Sequence, residues 1–243
     1  MGCSSGPDII QDGLVFCLDP SSKRSYGGSG TSCSDLKGGK SATLENGVAF
    51  SNNNAGHFIF DGTDDYIELD TELTGLGACT YSVWLNFNGL YLNGVLGWKY
   101  VNSAFIYDLL MYDLGGGPTL AAVYNNTSTT NYAATINNAL VSANNWYNIT
   151  VSKSEPSVSG GFTSSSIKYY LNGSFKIQTG VLVNATGSEL GYSGLRTIGS
   201  LWNSSNAAQY FWSGEIASVI YYDRVLSADE IRQNYLSTKE RFA

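Results

Sequence analysis

From Phe60 the chain reads Phe60-Asp61-Gly62-Thr63-Asp64-Asp65-Tyr66-Ile67-Glu68-Leu69-Asp70-Thr71-Glu72, a turn that feeds an alternating strand. Successive strand side chains point to opposite faces, so Ile67 and Leu69 share one face and Glu68, Asp70 and Glu72 the other. A strand with one apolar and one wet face belongs in an antiparallel layer that packs on one side only. Short runs of this kind recur at roughly 13–18, 46–50, 57–60, 66–70, 79–87, 91–99, 104–113 and 119–124. They continue at roughly 131–136, 146–153, 165–171, 174–179, 195–200, 208–212 and 215–222. Many short strands punctuated by Gly and Asn predict an all-β sandwich or barrel.

One hairpin is nearly explicit: Asn172-Gly173, a strong two-residue turn signal, separates 167–171 from 175–177. The one helix predicted lies near the C-terminus. Ser227 and Glu230 form a capping box, and Leu226 and Ile231 stand at the staple positions. Ile231 and Tyr235 then begin an i, i+4 apolar stripe. Residues 1–12 read as a tail, and 20–41, rich in Ser, Gly and Lys, as a long arm or loop within a single domain spanning 13–243.

Charge narrows the partners. Residues 61–72 hold six carboxylates, and with Glu45 the segment 41–98, which has no Lys or Arg, carries the entire net charge of −7. Nucleic acid and anionic membrane need a basic footprint, so neither is expected as a partner. No apolar run reaches the ~18 residues of a membrane span. Charged residues make up 14% of the chain, below the roughly 25% usual in soluble domains, while Gly and Tyr are abundant. That is the makeup of an extracellular or particle-borne β-protein. No charged-then-apolar leader is visible, so no signal peptide is expected. Met1-Gly2-Cys3-Ser4-Ser5-Gly6 departs from a myristoylation signal at Gly6. The four cysteines have no metal-ligand spacing and read as free or buried thiols, with a Cys17–Cys33 bridge as the alternative.

Four blocks stand in a definite order. Phe60–Ile67 comes first, and Thr80-Tyr81-Ser82-Val83-Trp84-Leu85 second. The third is Trp146–Val151 followed by Tyr169–Gly173, and the fourth runs from Ile198-Gly199 through Trp212–Asp223 into Leu226–Ile231. Together they resemble the concanavalin A-like lectin/glucanase superfamily, specifically its laminin-G-like jelly-roll branch. The resemblance implies two antiparallel sheets, one of them concave, in a jelly-roll sandwich closed by one short C-terminal helix. It also implies functions that range from glycan lectins and adhesion modules to glycosidases. The block Gly13–Pro20, running on to Leu36, resembles versions found in bacteriophage, often marine-phage, structural proteins.

Three chemistries compete for the conspicuous residues. Glu68-Leu69-Asp70-Thr71-Glu72 is similar to the Glu-x-Asp-x-Glu core of retaining β-glucanases in this superfamily, although Thr71 stands where those enzymes have an apolar residue. Alternation makes the chemistry feasible, since a nucleophile and an acid must lie about 5–5.5 Å apart. The same carboxylates are also the ordinary wet face of a strand, which is the reading preferred. Asp61, Asp64 and Asp65, with the Gly62 carbonyl, offer the oxygen-only set that Ca²⁺ takes. They equally suit a tight turn in which Asp oxygens accept nearby N–H groups, and no metal is assigned. His57, the single histidine, has no Ser or Cys partner in the pattern and reads as a surface or strand-edge residue. Trp84, Trp146 and Trp212 occupy packing positions of the resembled family. Trp202 instead lies in a polar loop, Leu201–Asn206. Because sugars bind on aromatic faces with amides fixing their hydroxyls, Trp202, Asn203, Trp98, Tyr107 and Tyr112 are the glycan-binding candidates.

These readings converge on a non-enzymatic virion surface or structural protein, a capsid decoration, appendage or fibre component that binds glycans for adhesion. It would be present in multiple copies and contact other virion proteins through 1–12 and 20–41. The alternatives are an extracellular glycoside hydrolase using Glu68, Asp70 and Glu72, or a purely structural protein–protein module.

Overall fold

The computed structural model describes residues 8–73, 78–89, 93–98, 107–112, 119–125, 131–136, 141–154, 167–176, 195–202 and 207–242. The early strands are β1 (Leu14–Leu18), β2 (Ser32–Ser34), β3 (Ser41–Glu45), β4 (Ala49–Ser51), β5 (His57–Asp61) and β6 (Tyr66–Leu73). The middle of the chain supplies β7 (Cys79–Phe87), β8 (Asn93–Trp98), β9 (Tyr107–Tyr112), β10 (Thr119–Asn125), β11 (Asn131–Ile136) and β12 (Trp146–Lys153). The last third adds β13 (Ile167–Leu171), β14 (Ser174–Lys176), β15 (Leu195–Ile198), β16 (Leu201–Trp202), β17 (Ala208–Gln209) and β18 (Ser213–Tyr222), then helix α1 (Ala228–Thr238).

Two antiparallel sheets form the sandwich. The first runs β14-β13-β12-β7-β18-β5-β4, and the long strand β18 pairs with both β5 and β1. The second runs β11-β10-β9-β8-β15-β6-β3-β2. Between them lie Phe58, Phe60, Ile67, Leu69, Tyr81, Val83, Leu85, Phe87, Val95, Leu96, Ile149, Val151, Tyr169, Ile198 and Trp212, all sealed from solvent. Each such side chain contributes about 1.5–3 kcal/mol by leaving water. The β13–β14 hairpin turns through Asn172 (φ 51°) and Gly173 (φ 70°), the doubly left-handed backbone that the Asn-Gly pair predicts. Of the strand expected at 46–50 only the end forms, as the start of β4, because Asn46 and Gly47 also adopt positive φ (62° and 130°) and turn the chain out of β3.

The outer face of the first sheet is covered. Leu14, Cys17, Tyr170, Ile220 and Tyr222 bury against Leu226 and Ile231 of the helix approach. Trp84 stacks on Tyr235 and on Phe242, and its indole N–H donates to Thr238 Oγ1 at 2.9 Å. Trp146 also packs on Phe242. Residues 8–12, expected as a free tail, run along this helix: the Ile10 amide donates to Asn234 Oδ1 (2.8 Å), and the Tyr222 hydroxyl donates to the Ile10 carbonyl (3.0 Å). The segment 20–41 is likewise stitched in. Tyr26 packs on Phe50 and Phe58, β2 pairs with β3, and Asp35 Oδ1 accepts the Cys17 amide at 2.8 Å. Cys17, Cys33 and Cys79 are buried and take part in no disulfide. Cys17 and Cys33 sit in separate apolar clusters, so no bridge joins them. Burial pushes both thiols up to about 12, which leaves them unreactive.

The capping box forms as expected: Ser227 Oγ accepts the Glu230 amide, and Glu230 Oε2 accepts the Ser227 amide at 2.8 Å. Arg224 grips Glu230 with two nitrogens, at 2.6 and 3.1 Å. Those guanidinium bonds, with the Ser227 amide, hold the Glu230 carboxyl down at about 2, against 4.5 unperturbed. A depressed carboxyl stabilises the fold above its unfolded value and loses that contribution as pH falls. Urea midpoints measured from pH 5 to pH 2 are therefore expected to fall, and Glu230→Gln to flatten that limb. An unchanged limb in the variant would assign the acid sensitivity elsewhere.

Candidate functional site

The outer face of the second sheet is partly open, and the alternation read from the sequence builds it. Ile67 and Leu69 of β6, with Ala42 and Leu44 of β3, point inward and are buried. Tyr66, Glu68 and Asp70 alternate with them, as do Ser41, Thr43 and Glu45, and all six are half-buried or exposed. In register, Thr43 lies opposite Glu68, and Glu45 opposite Tyr66.

Two polar contacts organise this face. Arg196 of β15 donates from Nε to Glu68 Oε1 at 2.8 Å, and its Nη2 donates to the same oxygen. The Ser41 hydroxyl donates to Asp70 Oδ2. Burial first, and then the charges of Glu68 and Glu45, raise the Tyr66 phenol above its ordinary value. Its ring lies 6.2 Å from that of Phe211.

A second layer crosses this sheet. Strands β16 and β17 pair as a small hairpin, Leu201 opposite Gln209 and Trp202 opposite Ala208. The hairpin comes close because β8 carries glycines. A Cβ at Gly97 would fall against the Ser200 carbonyl oxygen and 2.5 Å from Thr197 Oγ1, and one at Gly94 would lie 2.5 Å from Leu201 Cγ. The Gly94 amide donates to the Tyr210 carbonyl at 2.6 Å, and Thr197 Oγ1 donates to the Ser200 carbonyl at 3.0 Å. Tyr210 follows in left-handed backbone (φ 55°) with its side chain exposed. Positive φ is an outlier for a bulky residue, and such outliers cluster at functional sites.

Of the glycan candidates, Trp202 lies in strand β16 and not in a polar loop, since 201–202 pair with 208–209. Trp98 closes β8, and Tyr107 and Tyr112 bracket β9 beside it, with Tyr107 opposite Gly97. The backbone thus gathers Trp98, Tyr107 and Trp202 around β8, with Tyr112 at the far end of β9. Asn203 lies outside the described residues. Sequence reading missed Arg196, Tyr210 and Phe211. The two glycines in β8 were the available signal, since glycine inside a strand marks close backbone approach.

Glu68 and Asp70 share the outer face, as alternation requires, and the backbone of Glu72 continues the same strand. Arg196 meets one oxygen of Glu68. In the turn, Asp61 Oδ1 accepts the Thr63 amide at 2.7 Å, and the Asp61 amide donates to Asp65 Oδ2 at 3.0 Å. The Thr63 N–H holds the Asp61 carboxyl down, whereas burial raises that of Asp65, beside Asp61 and Asp64. Oxygens of Asp61, Asp64 and Asp65 lie within 4.8 Å of one another. Turn hydrogen bonds account for Asp61 and Asp65, as the turn reading expects. His57 is neither at the surface nor on an edge strand. It is buried in β5 between β4 and β18, with Nδ1 3.0 Å from the Asn53 carbonyl and Nε2 3.6 Å from Glu215 Oε1.

A family model described as the concanavalin A-like lectin/glucanases superfamily matches residues 61–232. No curated protein matches the chain by sequence. Among solved structures, the sialidase of Trypanosoma rangeli in complex with sialic acid superposes with a TM-score of 0.66 at 17% identity, covering 97% of this chain and 35% of that one. Domain 4 of AbnA, a GH43 extracellular arabinanase from Geobacillus stearothermophilus, in complex with arabinotriose, gives a TM-score of 0.61 at 15% identity, covering 91% of this chain and 98% of that one. This chain spans about a third of the sialidase, and nearly the whole of the arabinanase domain. Identities this low speak to the fold alone.

Proposed function

Because the chain belongs to the concanavalin A-like lectin/glucanases superfamily, we propose that it is a non-enzymatic glycan-binding module that reads sugars on the outer face of its second sheet. The observation that carries this reading is the makeup of that face: half-exposed hydroxyls and carboxylates, bordered by the Tyr66–Phe211 pair and the exposed, left-handed Tyr210. Aromatic faces cover the apolar side of a sugar ring, while polar groups fix its hydroxyls. The arabinanase domain of matching size, solved with arabinotriose, supports the same use of the fold. The Arg196 contact on Glu68 favours binding over hydrolysis.

The setting we propose is a virion surface, supported by the phage-like block at 13–20 and the low charge content. Residues 8–12 and much of 20–41 are committed to the domain's own packing, so contacts with neighbouring virion proteins fall to exposed stretches such as 27–32. Neighbouring capsid or tail genes would support this setting, and a polysaccharide-degradation cluster would overturn it.

A glycan array with wild type and Tyr210→Ala tests the binding reading. Ala keeps the strained backbone and removes only the ring, so an affinity loss of about tenfold is expected. Silence of the wild type would favour a purely structural module. Reducing-end release from β-glucans that disappears in Glu68→Gln would replace binding with catalysis.

A further inference from the structure

The charge layout of the proposed face names its ligand class. Resting on the glycan-binding reading, we infer that this face takes neutral glycans and rejects acidic ones, and that Glu68 sets this preference by occupying Arg196.

Three carboxylates stand on or beside the face from two adjacent strands, Glu45 on β3 and Glu68 and Asp70 on β6. The cation described among them is Arg196, and both of its donating nitrogens go to Glu68. Lys40 directly precedes β3 and has interactions of its own. Asp61 and Asp64, exposed in the turn that feeds β6, add to the negative side. Sialic and uronic acids are recognised through guanidinium or ammonium groups free to meet a carboxylate, and a bidentate arginine is the usual device. This face has the arginine, but its own glutamate holds it. Among the described residues an incoming carboxylate therefore meets a formal surplus of negative charge and an arginine already paired with Glu68. The charges of Glu68 and Glu45, which after burial help to raise the Tyr66 phenol, act on an arriving anion in the same sense.

A neutral sugar suffers none of this. Its hydroxyls donate to Glu45, Asp70 and the remaining oxygen of Glu68, with Ser41 and Thr43 at hand to either donate or accept. Two surplus charges about 6 Å from a ligand carboxylate in water disfavour it by about tenfold. Salt at physiological strength shrinks the effect, because the Debye length is then about 8 Å.

The test is an array of matched glycan pairs that differ by one carboxylate, sialylated against asialo chains and glucuronylated against unsubstituted xylan or arabinan. It is run at low and high salt. Wild type is expected to prefer the neutral member about tenfold at low salt, with the preference shrinking at high salt. Glu68→Gln keeps the size and an acceptor for Arg196 but removes the charge, and is expected to erase or reverse the preference. Asp70→Asn, at an exposed position, should shift it the same way by less, and serves if Glu68→Gln does not fold. Equal or better binding of the acidic member by wild type overturns the inference and leaves glycan binding standing. So does an unchanged preference in both variants. Absence of binding to either member overturns the glycan-binding reading itself, and this inference with it.

Discussion

Trp212→Ala is expected to lose about 3–5 kcal/mol of stability, the usual range for a large aromatic deleted from a packed core. Trp212 is fully buried, follows Phe211 directly and donates its backbone N–H to the Gly199 carbonyl at 2.8 Å. Its ring fills space between the sheets just where the hairpin segment returns to β18. For a chain of this size the loss should lower Tm by roughly 6–20 °C. Among the described residues the indole N–H has no partner. Trp212→Phe removes that orphan donor together with some volume, so it is expected to cost far less than the Ala variant, about 1.5 kcal/mol or below. Urea unfolding of the two variants measures both quantities. Equal losses in Phe and Ala variants would show that the indole N–H is satisfied.

Gly97→Val carries the second large effect, and it joins stability to function. Every substituent at this position meets the Ser200 carbonyl oxygen and Thr197 Oγ1, and Leu201 Cα lies 3.0 Å from the Cβ. Backbone cannot rotate aside as a side chain can, so β8 and the Ser200–Leu201 backbone must separate. The expected cost is about 3 kcal/mol, at the upper end of overpacking. Glycan affinity should fall further than the stability loss explains, because Tyr210 is held by the Gly94 amide in the same strand. Gly89→Ala provides the contrast, since a Cβ there meets nothing within 4 Å and the change should stay within about 0.5 kcal/mol. Thermal melts and array binding of the two variants decide it. A Gly97→Val protein that melts and binds as wild type would dissolve the link between the glycine strand and the site.

The alternation of 66–70 was legible because strand sidedness is local. Ile67 and Leu69 had to face a core wherever the strand was placed. The same holds for Asn172-Gly173 and for the Ser227–Glu230 cap, each complete within four residues. His57 was misplaced for the opposite reason. Nothing within five residues of it tells that β4 and β18 lie on either side of β5 and that Glu215 approaches its ring. The tail and arm were underestimated likewise. Their polar composition hides Ile9, Ile10 and Tyr26, and what covers these comes from the other end of the chain or from another strand. Trp202 was read as a loop residue because a two-residue strand leaves no periodicity to detect.

The sequence alone therefore determined the class of the fold, its two-faced strands, its closing helix and the concentration of negative charge in 41–98. It did so because backbone preference, side-chain alternation and formal charge are properties of neighbours along the chain. Only the tertiary structure decided that β6 lies between β15 and β3, so that Arg196 meets Glu68 across 128 positions of sequence. Only it decided that glycines in β8 admit Ser200 and Leu201 at close range. Strand order and close backbone approach are fixed by how two sheets fill one core, a condition on the whole chain that no local segment encodes.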